Sequence, residues 1–491
     1  MRATRSARWL LGAGLVALSL QSARAEDPSV EDLQRELKAM QRQLQQLQEN
    51  MQKQQELIDK LSRERAPVAT VQPAVAAAPA TLPPTPVAAA AAPTPALPVP
   101  AVPPVAQAPG WSPTQPLSLF RGAHGYLNFS FSSLIDAGWS TTSDVPELEP
   151  GDHDPNQRGF SLPNEEMFID GAVDPYFKAV ADIVFKLDDQ NNTDVELEEV
   201  YFLTTSLPWN LQGKGGQFLS EFGRINQQHP HSWDFVDQPL IINRMFGPEG
   251  LRNPGARLSW LVPTPFYSEL FAAVQNSQGE TAYSYRNTNT ELFGYPPIDR
   301  SVHNLGDMLY VPRYVASFDL TESQTVVAGV SGAFGPNDAG GHTRTQIYGG
   351  DLYWKWKPVW QSAGFPFVAL QTEILGRHYG AGPQFEEMNG MQVQTLPSQN
   401  FYDWGFYVQE LYGFTQGWVA GLREEWVGGD RPTLNQGQRF RLSPDLTFYP
   451  SEFSKIRLQY NFDHQQQPLG DDSSVWLQFE MLLGDHAAHK F

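Results

Sequence analysis

The chain has 491 residues, with 34 Lys+Arg against 54 Asp+Glu, a net charge of −20 and no cysteine. Without cysteine it has no disulfides and no Cys-based metal-finger spacing, so stability must come from packing or backbone pairing. It also lacks a Gly-rich phosphate loop and a basic patch for nucleic acid, and past residue 25 no 18 consecutive apolar residues form a transmembrane helix.

In chain order, Arg2, Arg5 and Arg8 precede an apolar core from Trp9 to Leu20 and the small-residue site Ala23-Arg24-Ala25. Residues 1–25 therefore read as a secretory signal peptide. Residues 26–65 follow as a coiled coil. Val30, Leu37, Leu44, Met51 and Ile58 take the a positions, and Leu33, Met40, Leu47, Gln54 and Leu61 take d. An apolar seam that narrow buries itself only against another helix, so residues 30–61 predict a homo-oligomer, with a trimer among the options. Residues 66–120 carry no charge and 15 of the chain's 40 prolines. That composition denies helix and sheet ladders their donors and predicts a disordered Pro/Ala-rich linker of polyproline II character.

Residues 121–491 change character. Leu127, Phe129 and Phe131 alternate with Asn128, Ser130 and Ser132; Ile456, Leu458, Tyr460 and Phe462 alternate with Arg457, Gln459, Asn461 and Asp463. Val475, Leu477, Phe479 and Met481 alternate in the same way with Trp476, Gln478 and Glu480. Period-2 runs of about ten residues with one apolar face predict an all-β transmembrane barrel, lipid outside and water inside. An aromatic content of 12% suits the two interfacial girdles, and the terminal Phe491 suits an assembly signal read by barrel-assembly machinery.

Sixteen strands are predicted, near 125–137, 166–173, 177–187, 195–205, 214–225, 255–263, 267–276, 308–320, 325–335, 343–357, 366–379, 401–414, 418–428, 438–449, 455–464 and 473–484. The even count returns both ends to the periplasmic side. It also makes residues 226–254 the third long loop, the one that narrows the pore of sixteen-stranded porins.

The stretches "NEEMFIDGAVDPYF", "EVYFLTTSLP", "GRINQQHPHSWDFVDQPL", "YPSEFSKIRLQYN" and "LGDHAAHKF" carry a resemblance. The layout resembles outer-membrane porins with periplasmic coiled-coil extensions, more distantly phosphate-selective porins. Within residues 160–491 it is similar to proteobacterial proteins labelled zinc-regulated TonB-dependent outer-membrane receptors. The resemblance implies an outer-membrane location and a link to zinc supply. It does not extend to a plug domain, since about 370 residues cannot hold both 22 strands and a plug.

Residues 121–491 hold 23 Lys+Arg and 45 Asp+Glu, a net of −22. Such a pore should concentrate cations and repel phosphate. Part of the surplus lies in the loop holding Asp144, Glu147, Glu149, Asp152, His153 and Asp154. In the third loop, Pro230 forces His229 into an extended conformation, so His229 and His231 face the same way. With Asp234 or Asp237 they make either a weak, exchangeable N/O metal site or a polar lining. At the periplasmic end His124, His486 and His489 form a second candidate cluster, or else part of the assembly signal. No residue set reads as catalytic and no cofactor is implied.

Three functions follow. The first is a channel for small solutes, cation-preferring and linked to zinc uptake. The second is an anion- or sugar-selective porin. The third is an outer-membrane anchor reaching the cell wall through the coiled coil.

Overall fold

The computed structural model describes residues 117–122, 125–286, 291–388, 391–429, 437–466 and 470–484. The signal peptide, the coiled coil, most of the linker, His124, His486, His489 and Phe491 lie outside these residues.

The first half of the sheet comprises β1 (Leu117–Arg121), β2 (Tyr126–Ser140), β3 (Gly159–Ala172), β4 (Phe177–Leu187), β5 (Thr193–Thr204), β6 (Leu211–Leu219), β7 (Arg252–Leu261), β8 (Tyr267–Gln275) and β9 (Leu309–Thr321). The second half comprises β10 (Gln324–Pro336), β11 (Arg344–Trp356), β12 (Phe367–Ala381), β15 (Gln399–Thr415), β16 (Trp418–Gly429), β17 (Arg439–Ser451), β18 (Ser454–Gln465) and β19 (Gly470–Leu483). Between β12 and β15 a loop carries the separate hairpin β13 (Gln384–Met388) and β14 (Met391–Leu396).

Strands β2–β12 and β15–β19 pair antiparallel in sequence order, and β19 closes on β2 with Ser474 opposite Ser140 and Leu483 opposite Phe131. This is a closed barrel of sixteen strands. Closure leaves no unpaired edge, which a lipid-embedded sheet requires. β1 continues the same edge of β2 past the end of β19, Leu117 opposite Phe129 and Arg121 opposite Tyr126. Paired backbone thus begins inside the span assigned to the linker, because β19 leaves the first residues of β2 without a partner.

Alternation decides which face is wet. Ile456, Leu458, Tyr460, Leu477, Phe479 and Met481 are exposed on the outer surface, while Arg457, Gln459, Asn461, Asp463, Gln478 and Glu480 are buried inside. Outer aromatics gather near both rims: Trp139, Phe160 and Tyr402 at the end with long loops, and Trp209, Trp260 and Tyr267 at the end with short turns. The two-residue turn 416–417 shows the local chemistry that allows such tight reversals. Gly417 has φ of 78°, a left-handed conformation that a side chain would strain.

The strands β8–β12 depart from simple alternation. Their lumen positions include Ala273, Val311, Ala333, Ile347 and Leu375, all buried, which form an apolar patch beside the polar Arg313, Asp351 and Glu373. Water would not favour that surface. It is covered by the third loop.

Candidate functional site

The third loop, residues 220–251, turns into the barrel instead of extending from it. Asn226 closes its base: Nδ2 donates to the carbonyls of Ser220 (2.9 Å) and Leu251 (3.1 Å), and Oδ1 accepts from the Leu251 amide at 2.8 Å. Gly223, at φ 58°, lets the chain turn inward, and the amides of Arg224 and Ile225 donate to Glu373 on β12 at 3.0 and 2.8 Å. Farther along, helix α1 (Leu240–Phe246) is buried on every side. Its Leu240, Ile241, Ile242, Met245 and Phe246 share one apolar cluster with Phe218, Phe222, Tyr407 on β15, Val427 on β16 and the apolar patch of β8–β12. Each such side chain contributes roughly 1.5–3 kcal/mol when fully buried. This helix, unforeseen as such in the sequence, is the plug of the central lumen.

Before this helix, over residues 229–237, the loop meets two unlike polar walls. On β16–β18 the wall is basic. Asp237 sits between Arg423 (2.8 Å) and Arg441, and accepts from Gln459 at 2.6 Å. Arg441 also reaches Asp463 at 3.0 Å and Glu149 at 2.5 Å, the latter carried in by the first long loop. Burial works against ionisation of Asp237, but Arg423 and Arg441 outweigh it and hold its pKa below the usual carboxylate value. Arg457 and Lys455 donate to the carbonyls of Trp233 and His231, each at 2.9 Å. Every charge on this wall has an opposite partner or a backbone oxygen.

On β3–β5 the wall is acidic. A β-bulge places Asp182 opposite Glu199 and Ile183 opposite Leu197, leaving Glu198 as the extra residue. Glu198 and Glu199 both turn inward as a result, joining Glu166 and Asp182. Into this group the loop inserts two stacked imidazoles, His229 and His231, with ring centroids 5.9 Å apart and planes within 7°. His229 Nδ1 lies 3.0 Å from Glu198 and 3.2 Å from Asp182, and its Nε2 lies 3.2 Å from Glu199. His231 Nδ1 lies 2.7 Å from Glu166. Burial disfavours a charged His229, yet Glu198, Glu166 and Asp182 override it and raise its pKa well above the ordinary value.

A neighbouring group joins Asp152, His153, Glu196 and Glu249. There Lys186 sits among the acids, bonded to Asp152, Glu196 (3.2 Å) and Glu249 (3.1 Å), and Arg252 adds contacts to Glu196 and Glu249.

The structure therefore brings His229 and His231 together as their spacing implies, but separates them from Asp234 and Asp237. Asp234 accepts from Gln409 at 2.8 Å, and Asp237 belongs to the arginines. The carboxylates around the imidazoles come from the barrel wall. One trace of them was legible: "ELEEV", residues 196–200, breaks strict alternation with a Glu doublet where the bulge occurs. Toward the short-turn end the lumen opens into a cavity of about 650 Å³ lined by Thr325, Tyr353, Lys355, Lys357 and Gln361.

No family model matches the sequence. An uncharacterized protein of Aquifex aeolicus (strain VF5) is 30% identical over 357 residues, covering 68% of this chain and 71% of that protein. Among solved structures, the outer membrane channel DcaP of Acinetobacter baumannii aligns with a TM-score of 0.50 and 12% identity over 74% of this chain and 99% of that one. An anion-selective porin from Comamonas acidovorans aligns with a TM-score of 0.46 and 6% identity over 73% and 100%. At these identities the structural likeness is one of fold.

Proposed function

The chain belongs to one family with the Aquifex aeolicus protein, and from its barrel we propose that it is an outer-membrane porin passing small solutes, with a preference for cations. The observation that carries this reading is the third loop folded across the lumen of a closed sixteen-stranded barrel. A purely mechanical anchor needs no internal constriction.

The net charge of −22 over residues 121–491 supports cation preference, as does the acidic wall of Glu166, Asp182, Glu198 and Glu199. Zinc belongs among the candidate solutes on the sequence resemblance. Lys355 and Lys357 in the open cavity, which outnumber its one acid, Glu322, favour the competing reading, an anion-selective pore.

The reversal potential of the full-length protein in a planar bilayer under a KCl gradient separates the two. Cation preference supports the reading; anion preference transfers control of selectivity to the cavity lysines. Absence of any conductance, including after excision of residues 226–250, sinks the channel itself.

A further inference from the structure

Two acid-and-imidazole groups line the same side of the lumen, and they differ in one decisive way. In the Asp152, His153, Glu196 and Glu249 group a cation is already built in, because the Lys186 ammonium occupies the centre and Arg252 the flank, from which it also comes within 3.8 Å of Glu198. In the Glu166, Asp182 and His229 group all three residues are buried, and their candidate ligand atoms lie within 4.8 Å of one another. Among the described residues, Asp182 and Glu199 have no Lys or Arg within ion-pair distance. Asp182 is 0% exposed, and neither of its carboxylate oxygens has a hydrogen-bond partner. An ionised carboxylate left in that state is costly unless a cation completes it or a proton neutralises it.

We propose that Glu166, Asp182, Glu198 and the Nδ1 atom of His229 bind one divalent cation of the zinc or cobalt(II) type, which clamps the third loop to the β3–β5 wall. The donor set of one imidazole nitrogen and carboxylate oxygens suits a borderline cation better than calcium or magnesium, which favour oxygen alone. The surrounding contacts are those a ligating histidine needs. With Nδ1 on the cation, Nε2 keeps its hydrogen and donates it to Glu199 at 3.2 Å, fixing the tautomer and the ring plane. His231 does the same for Glu166 from the other side, at 2.7 Å. The candidate ligand atoms lie within 4.8 Å of one another, and bonds of about 2.0–2.2 Å to one ion would draw them closer together. Three ligands belong to the barrel and one to the loop, so the ion would bridge the fixed wall and the plug. The inference does not depend on the barrel conducting.

The test uses the full-length protein, purified in detergent, stripped with chelator and titrated with CoCl₂ and then ZnCl₂. Visible absorption and calorimetry report binding, and heat-modifiable gel migration reports that the barrel is folded. One saturable site with Co²⁺ absorption bands, displaced by Zn²⁺, is expected. His229→Gln and Asp182→Asn should each weaken binding by at least about tenfold, a loss seen even for residues that only orient a ligand. Asp152→Asn, in the lysine-filled group, should leave binding unchanged. No saturable binding by the folded wild type overturns the proposal. So does binding that survives both His229→Gln and Asp182→Asn in folded protein, or that is lost only with Asp152→Asn.

Discussion

The basic wall of β16–β18 and the acidic wall of β3–β5 hold the same loop by different means. On the basic wall Arg423, Arg441 and Arg457 meet Asp237, Glu149, Asp463 and backbone carbonyls, so charge is balanced within the protein. On the acidic wall Glu166, Asp182, Glu198 and Glu199 surround two imidazoles, with Arg252 reaching Glu198 alone at 3.8 Å, and the balance is left short of positive charge. Both walls are equally buried, so burial alone does not say whether a polar cluster is finished. The partner count does. A completed ion network is structural cement, whereas a buried cluster short of one sign is the better place to look for a ligand.

Substitutions on the two walls should therefore behave oppositely. Arg441→Ala leaves Glu149, Asp237 and Asp463 buried without their shared cation, and should cost about 3–5 kcal/mol in urea unfolding of the detergent-solubilised barrel. A cost near zero would mean water reaches that wall and the charge matching is incidental. Gly223→Ala disturbs the loop before it meets either wall. It forces a side chain into φ 58° beside the Glu373 carboxylate, for a loss of about 1–3 kcal/mol and a rise in single-channel conductance as the loop loosens. Unchanged conductance would show that the loop is held by its far contacts alone.

The smallest effect should come from Glu199→Gln in chelator-treated protein. Glutamine still accepts the Leu219 amide while one of the surplus charges disappears. Stability should stay within about 1 kcal/mol of wild type, with the sign favouring the variant, because like charges in one buried site repel. A loss as large as that of Arg441→Ala would erase the distinction between the walls. A separate comparison, of inner and outer faces, is sharpened by Leu477→Arg. It should cost about 2–4 kcal/mol if Leu477 lies near the bilayer midplane, and about 0–1 kcal/mol if it lies near an interface.

How much of this was legible depends on the range of the interaction involved. Strand existence and facing were written locally. The run from Lys455 to Asp463 gives its inside and outside residue by residue, since a β-strand turns successive side chains to opposite faces. The count of sixteen strands and the rank of the third loop followed from the same rule. Length misled slightly where polar residues sit at a strand end: β3 begins at Gly159, seven residues before the predicted start at 166. The helix Leu240–Phe246 was hidden because seven consecutive buried residues have no amphipathic period to detect.

The sequence by itself determined a closed, sixteen-stranded barrel with a polar lumen and a histidine-bearing third loop, because alternation and turn chemistry act between near neighbours. Only the tertiary structure decided which acids those histidines meet. Asp234 and Asp237 are close in sequence to His231 but face arginines and a glutamine, while Glu166 is 65 residues away and touches it. A loop that crosses a barrel exchanges its sequence neighbours for the opposite wall, and no local pattern encodes which wall it reaches.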